Sequence, residues 1–263
     1  ITYNAHLQFR EKKGWSGSVG VNGMSQNNTN KGVEQLIPDY NLFDAGVFGY
    51  VKKSWNKITV SSGLRYDSRN VSLKNLMDGT DIKNPGFDKS FANVSGSLGM
   101  SAELSKQFNL KLNVARGFRA PSIPELASNG SHEGTLRYEY GDASLKSETS
   151  LQFDAGLDFN TEHISISAAG YYNYFPNFIF YRKLQSYNGG DSVLNVDGND
   201  LTAFKFDQRK AALKGLELTM DFHPHPLDWL HIQNTFSLVS GTFVDAVEGT
   251  KYMPFIPATR WIT

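Results

Sequence analysis

The sequence predicts an all-β protein whose strands form a large antiparallel transmembrane β-barrel. Three observations support this prediction: apolar and polar residues alternate through long segments, short and long connections alternate between these segments, and aromatic residues gather near the segment ends. A period of two places apolar side chains on one face of a sheet and polar side chains on the other. In a membrane barrel the apolar face contacts lipid and the polar face lines the lumen.

The alternation indicates about eleven strands along the chain. Leu110, Leu112 and Val114, for example, alternate with Lys111 and Asn113. In chain order, the predicted strands lie near 1–9, 15–22, 42–51, 57–67, 91–104, 109–117, 149–159, 163–174, 212–222, 229–242 and 258–263.

The same period predicts the direction of individual side chains. Apolar residues of two strands are expected to face lipid: Phe153, Leu157, Leu216 and Leu218. Acidic residues of the same strands are expected to face the lumen: Asp154, Asp158, Glu217 and Asp221.

The connections between the predicted strands alternate in length. The short ones are Glu11–Gly14, Lys52–Asn56, Ser105–Asn109, Asn160–His163 and His223–Asp228. The long ones are roughly 23–41, 68–90, 118–148, 175–211 and 243–257. Short turns at one end and long loops at the other are typical of outer-membrane barrels. Aromatic residues near both ends favour belts at the two membrane interfaces, although aromatic residues also favour strands in general.

Two segments carry a family resemblance: Arg116–Gly–Phe–Arg–Ala–Pro–Ser–Ile–Pro–Glu–Leu126 and Gly141–Asp–Ala–Ser–Leu–Lys–Ser–Glu–Thr–Ser150. They resemble the barrel of TonB-dependent outer-membrane receptors. In that family a strand ends in a Gly-Phe-Arg-Ala-Pro-like turn, a long outer loop follows, and the next strand opens with a Gly-Asn-x-x-Leu-x-Pro-Glu-like turn. Ser147 stands where the family often has Pro.

The resemblance implies a barrel of about 22 strands around a plugged lumen. Residues 1–263 are therefore expected to be part of the barrel domain, an internal fragment without the plug and the remaining strands. The implied function is import of a scarce nutrient, most simply a metal chelate such as a siderophore, haem or zinc complex, across the bacterial outer membrane. The implied partners are outer-membrane lipid, TonB through the missing plug segment, and the ligand itself; no cofactor is expected.

The composition and motifs of the sequence limit the classes of protein to which the chain could belong. The chain has 26 basic and 26 acidic residues, so it lacks the basic surplus typical of nucleic-acid binding. It has no Cys, which excludes disulfides and thiolate metal sites. A passive porin or structural barrel would share the strands and belts, whereas a membrane-embedded hydrolase would need a nucleophile, His and acid at one height. No catalytic motif is present, so an enzyme is not expected.

Candidate ligand residues lie in the two longest connections. His132 and Glu133 offer an imidazole and a carboxylate, which are common metal ligands, and Arg137 and Tyr138 follow them. Tyr181, Arg182, Lys183 and Tyr187 form a second aromatic and basic group, suited to an anionic, ring-bearing chelate. A solvated polar loop is the alternative for both groups.

Other residues are expected to act structurally. Arg119, Pro121, Glu125 and Glu148 carry the family resemblance. Pro121 lacks an N–H donor and ends the strand, and Arg119 is expected to pair with Glu125 or Glu148, or to face the plug. His223–Pro–His225–Pro has metal-like spacing, but its two prolines are explained by a tight turn, and no metal is expected there.

Overall fold

The computed structural model describes residues 1–32, 35–132, 134–227 and 229–263. Its first half contains β1 (Thr2–Lys12), β2 (Trp15–Asn28), β3 (Tyr40–Trp55), β4 (Ile58–Leu73), β5 (Leu76–Asp78), β6 (Asp81–Asn84), β7 (Phe87–Glu103) and β8 (Phe108–Arg119). Its second half contains α1 (Ile123–Ala127), β9 (Asn129–His132), β10 (Arg137–Tyr140), β11 (Glu148–Asn160), β12 (Ile164–Lys183), β13 (Val193–Val196), β14 (Asn199–Phe222), β15 (Ile232–Val247), β16 (Thr250–Tyr252) and β17 (Arg260–Ile262).

Eleven of these strands form one continuous wall, in the number that the sequence predicts. Each pairs antiparallel with the next one in the order β1-β2-β3-β4-β7-β8-β11-β12-β14-β15-β17. The remaining short strands belong to the long connections at one end of the wall; they are β5, β6, β9, β10, β13 and β16. Antiparallel pairing of chain neighbours is the topology of an up-and-down barrel wall.

The two faces of the wall differ in chemistry as the period predicts. Phe153 and Leu157 of β11 are about half exposed, and the register places Leu157 on the same side of the sheet as Leu218 of β14. On the opposite side, Asp158 accepts a hydrogen bond from Ser167 at 2.9 Å and pairs with Lys111 at 2.6 Å. Ion pairs are stable on a wet face and costly in hydrocarbon, so the apolar face is the one suited to lipid.

Several strands run further than the sequence predicts. β12 and β14 contain 20 and 24 residues, and they remain paired as far as Lys183 and Phe204. The predicted loop 175–211 is therefore wrong over most of its length. Since a tilted strand crosses the membrane in about 9–11 residues, these strands project well beyond it.

The alternation does not predict the projecting parts of β12 and β14, because apolar side chains pack on both of their faces. Phe178 and Phe180 pack on one side with Phe175 and Phe243, whereas Ile179 and Phe206 join a second cluster on the other side. With apolar residues on both sides, the sequence no longer alternates. Period-two reasoning then cannot distinguish a strand from an apolar loop.

The largest apolar cluster lies at the long-loop end of the wall. Ile123, Leu126 and Ala127 of α1 pack with Leu42, Val71 and Phe91, which lie on the polar side of the sheet near the strand ends. The connection after β8 therefore folds back over the polar face. No helix in the described ranges has the length and apolar character needed to span a membrane.

Candidate functional site

The connection between β8 and β11 is anchored at its base by three charged residues. Arg119 donates to both carboxylate oxygens of Glu125, at 2.9 and 2.7 Å, and to Glu148 at 3.3 Å. Both carboxylates are mostly buried, with side-chain exposures of 13% and 12%. Arg119 thus neutralises two carboxylates that the fold withdraws from water, and it joins the start of the connection to its end.

The helix that follows is short and strongly capped. Ser122 and Glu125 form a capping box, in which the Glu125 carboxylate accepts from the Ser122 backbone N–H at 2.7 Å. Pro121, which is fully buried, lies just before this cap. Ser147, where the family often has Pro, accepts a hydrogen bond at its carbonyl from Asn177, so β12 holds this end of the connection.

A small hairpin, β9 and β10, carries the residues predicted to bind ligand. β10 pairs in parallel with β14, from Arg137 opposite Thr202 to Tyr140 opposite Lys205. The backbone N–H of Asn129 in β9 donates to the Leu36 carbonyl at 3.0 Å. The hairpin therefore joins the loop 118–148 to the projecting part of β14.

A cation and aromatic rings meet where the hairpin docks. The Arg137 guanidinium lies 5.4 Å from the Tyr181 ring centre and 4.9 Å from that of Phe204. It also donates to the Tyr181 hydroxyl at 3.0 Å. Phe255, from the connection after β15, lies 6.5 Å from the Tyr181 ring and is 80% exposed. We call Arg137, Tyr181, Phe204 and Phe255 the rim cluster.

His132 lies beside the rim cluster. It is the register partner of Arg137 in the hairpin, and its Nδ1 lies 2.9 Å from Glu139 Oε1. Glu133, its predicted partner, lies outside the described residues. Glu139 thus supplies the carboxylate that His132 contacts, and its side chain is mostly buried while that of His132 is 47% exposed.

The other three candidate residues lie apart from the rim cluster. Tyr138 donates to the Asn129 side chain at 2.9 Å and contacts the Tyr140 ring. Arg182 pairs with Asp207 at 3.2 Å. Tyr187 is fully exposed beyond the end of β12. The structure therefore brings Arg137, Tyr181 and His132 close together and leaves Tyr138, Arg182 and Tyr187 in other surroundings.

Sequence reasoning did not single out Glu139, Phe204 or Phe255 for this site. The sequence could have indicated Glu139, because it lies two residues after Arg137 and the two side chains would share one face of a strand. Phe204 and Phe255 carry no local signal, because their proximity depends on the parallel docking of β10 and on the fold of the last loop.

Electrostatics stabilise the loop around the hairpin. Burial raises the pKa of the Tyr138 phenol, and the nearby charge of Asp78 adds to this rise. Burial also pushes the pKa of Asp142 upward, but hydrogen bonds from Ser144 and the Lys205 ammonium outweigh it and hold that pKa below its usual range. Asp142 therefore stays ionised and ties this loop to β14 through Lys205, at 3.3 Å.

Below the loops, the polar face of β2–β4 carries a charged network. Arg65 forms an ion pair with Asp67 and donates a hydrogen bond to the Asn22 side chain at 2.6 Å. Arg69 donates two hydrogen bonds of 2.7 Å to the carboxylate of Asp44. An open cleft of about 760 Å³ runs along these residues to Arg119. Charges that satisfy one another in this way suit the wet interior of a barrel.

The opposite end of the wall holds an unexpected group of histidines. His223 and His231 stack with ring centres 5.2 Å apart, and Asp221 lies 3.3 Å from His231 Nδ1. His163 lies on the neighbouring strand end, where its carbonyl accepts from the His223 backbone N–H at 3.0 Å. The tight turn expected for His223–Pro–His225–Pro is therefore only part of its structure.

Comparison with known proteins identifies the family of the chain. A family profile described as "TonB dependent receptor-like, beta-barrel" matches residues 2–261. The copper transporter OprC matches with a TM-score of 0.74 at 16% identity, over 98% of this chain and 39% of its own. The ferric yersiniabactin uptake receptor FyuA from Yersinia pestis gives 0.64 at 12%, over 99% of this chain and 38% of its own.

The haemophore receptor HasR of Serratia marcescens, solved with HasA and haem, gives a TM-score of 0.60 at 15% identity, over 93% of this chain and 42% of its own. The chain thus spans about two fifths of each of these proteins, and at such identities the likeness shows a shared fold. The family profile takes in nearly the whole sequence, from the first wall strand to the last. The chain therefore belongs to the β-barrel family of TonB-dependent receptors.

Proposed function

We propose that this protein is a TonB-dependent receptor that imports a metal chelate across the bacterial outer membrane. The family and the named cargoes of its structural neighbours, which are copper, ferric yersiniabactin and haem, support nutrient uptake as the general role. The outer membrane has no ion gradient of its own, so a tight site there needs energy from outside to release its ligand. We propose that the plug and the remaining barrel strands lie outside residues 1–263.

The rim cluster is the observation that favours a chelate. Arg137 presents a permanent positive charge between two aromatic rings, and Phe255 adds an exposed ring beside them. An anionic, ring-bearing ligand gains both charge pairing and stacking in such a place. His132 and Glu139 add groups that could contact a metal or a chelate oxygen.

Uptake of defined probes tests this proposal. Cells that lack their own iron receptors would express the complete gene and be offered ferric catecholate, ferric hydroxamate, haem or zinc chloride. We expect one iron chelate to be taken up, and Arg137→Gln to weaken its binding by about 10–150-fold, since charged hydrogen bonds contribute about 1.5–3 kcal/mol.

Matched variants separate the rim cluster from its surroundings. Lys74→Gln removes an exposed cation that pairs with Asp39 at 3.8 Å, and we expect it to leave uptake unchanged. Replacing His132 and Glu133 together with Ala should weaken uptake while the amount of folded barrel stays constant. Unchanged affinity in Arg137→Gln would remove the rim cluster from the site, and uptake of none of the probes would contradict a metal chelate as cargo.

A further inference from the structure

Three histidines form a row across neighbouring strand ends at the short-turn end of the wall. Phe222 pairs with Ile164 on one side and with Ile232 on the other. The next position outward on each chain is a histidine: His163, His223 and His231. Antiparallel pairing therefore sets these residues side by side, although 68 positions separate the first from the last.

The row lies on the polar face of the wall. Asp221, two residues before His223, shares its side of the strand, and the register places it on the face that carries Asp154 and Asp158. Asp221, His223 and His231 each offer a ligand atom, and these three atoms lie within 4.8 Å of one another. Among the described residues, this is the group of three or more such side chains with that spacing.

The spacing suits a tetrahedral transition-metal ion. Ligand atoms about 2.0–2.1 Å from zinc lie about 3.3 Å apart along a tetrahedral edge. Asp221 Oδ1 and His231 Nδ1 are already separated by 3.3 Å. The His231 side chain is 56% exposed, so small side-chain rotations are available to bring the third ligand closer.

The hydrogen bonds of the protein leave part of this group unsatisfied. The Nδ1 atoms of His163 and His223 are shielded from solvent, and neither has a hydrogen-bond partner in the described structure. Buried polar atoms normally have a partner, so the unpaired ring nitrogen of His223, a member of this group, is available to bind a ligand. A purely structural Asp221–His231 pair would not account for the His223 nitrogen.

We propose that Asp221, His223 and His231 bind one divalent first-row transition-metal ion of the zinc type. Two imidazoles and one carboxylate form a three-ligand set that leaves a fourth position for water or a passing ligand. His163 lies behind this set, with its ring 6.3 Å from that of His223. Asp221 lies near one end of β14 and Phe204 of the rim cluster lies near the other, so the two sites are at opposite ends of the wall. The proposed metal site requires no chelate.

Zinc binding to the complete receptor, purified in detergent and stripped with EDTA, tests the site. Equilibrium dialysis against zinc chloride counts bound ions, and visible absorption of the Co²⁺ form reports the coordination geometry. We expect the His223→Gln/His231→Gln double variant to lose one equivalent of zinc and the tetrahedral Co²⁺ bands. Loss of a residue that only hydrogen-bonds a metal ligand usually weakens metal affinity by about 10–100-fold. Because Asp221 is proposed as a direct ligand, Asp221→Asn should weaken zinc affinity by at least this much.

A matched control keeps the result interpretable. His6→Gln removes a histidine on the same face of the wall but in β1, and it should leave stoichiometry and spectrum unchanged. Should the double variant fail to fold, as judged by gel migration before and after heating, the single exposed substitution His231→Gln gives the same readout. Equal zinc stoichiometry in wild type and in these variants would overturn the proposal, whatever happens to chelate uptake.

Discussion

Arg119 shows how one residue anchors the base of the connection between β8 and β11. Its guanidinium holds Glu125, which caps α1, and Glu148, which accepts the Ile179 backbone N–H at 2.6 Å. Three segments distant in sequence therefore meet at one cation. The sequence motif indicated the participants, but not that Arg119 binds both carboxylates or that β12 joins them. Those contacts depend on strands whose projecting parts carry no alternation.

We expect Arg119→Gln to loosen the connection 120–147 without unfolding the wall. Two mostly buried carboxylates would lose their cation, which costs about 1–3 kcal/mol of local stability. Proteinase K treatment of intact cells should then cleave this connection about 5–150-fold faster, since cleavage follows the open population when opening is fast.

Lys183→Gln is the matched control for this effect. Lys183 and Asp191 form a pair in which both side chains are nearly half exposed, and such pairs contribute about 0–1 kcal/mol. Its cleavage rate should stay close to that of the wild type. Equal protection of the Arg119→Gln loop would show that apolar packing of α1 anchors the connection by itself.

At the scale of elements, the period of two predicted the membrane-crossing part of each strand well. Leu216 and Glu217 illustrate this, because adjacent residues of β14 lie on opposite faces. Strand ends were predicted less well, since above the membrane both sides of β12 and β14 are covered by loops. The hairpin β9–β10 was not predicted, because each strand has only four residues and β10 is held in place by its pairing with β14.

The two faces of β14 predict opposite responses to the same substitution. Leu216→Arg puts a charge on the lipid face and should cost about 2–4 kcal/mol near the bilayer midplane. Glu217→Arg, one residue along, places the same side chain in the polar interior and should cost far less. Folding equilibria in lipid vesicles would measure both. A similar cost for the two variants would contradict the assignment of the faces.

The histidine row is also an element-scale feature that sequence reasoning passed over. The local signal, His223–Pro–His225, drew attention to spacing within one turn. The proposed ligands instead come from the end of β14 and from the residue before β15, and they approach through strand pairing. Only the register in which β14 pairs with β15 brings these ligands together, and the sequence around a turn does not define that register well.

At the scale of the molecule, the wall is a sheet with two open edges. Among the described residues, β1 pairs with β2 alone and β17 pairs with β15 alone, so each has a free edge. Unpaired backbone groups are costly in hydrocarbon, and closure of a barrel removes them. The chain spans about two fifths of the length of OprC and FyuA, and we propose that strands outside residues 1–263 pair with these edges.

Residues 1–263 expressed alone should therefore fail to form a stable barrel. The polypeptide should migrate identically on a gel with and without heating, because heat-modifiable migration depends on a closed, detergent-resistant barrel. The complete gene product in the same detergent is the positive control. Heat-modifiable migration of the isolated chain would show that its own edges can pair.

We propose that energy from TonB drives uptake through this wall. Such dependence distinguishes a receptor from a passive porin, which would share its strands. The most direct measurement is accumulation of the ferric chelate that the complete protein binds, in matched cells with and without TonB. We predict normal binding at the cell surface in both, and accumulation that falls to background without TonB. Equal accumulation in the two strains would rule out TonB-driven import and indicate passive diffusion through the barrel.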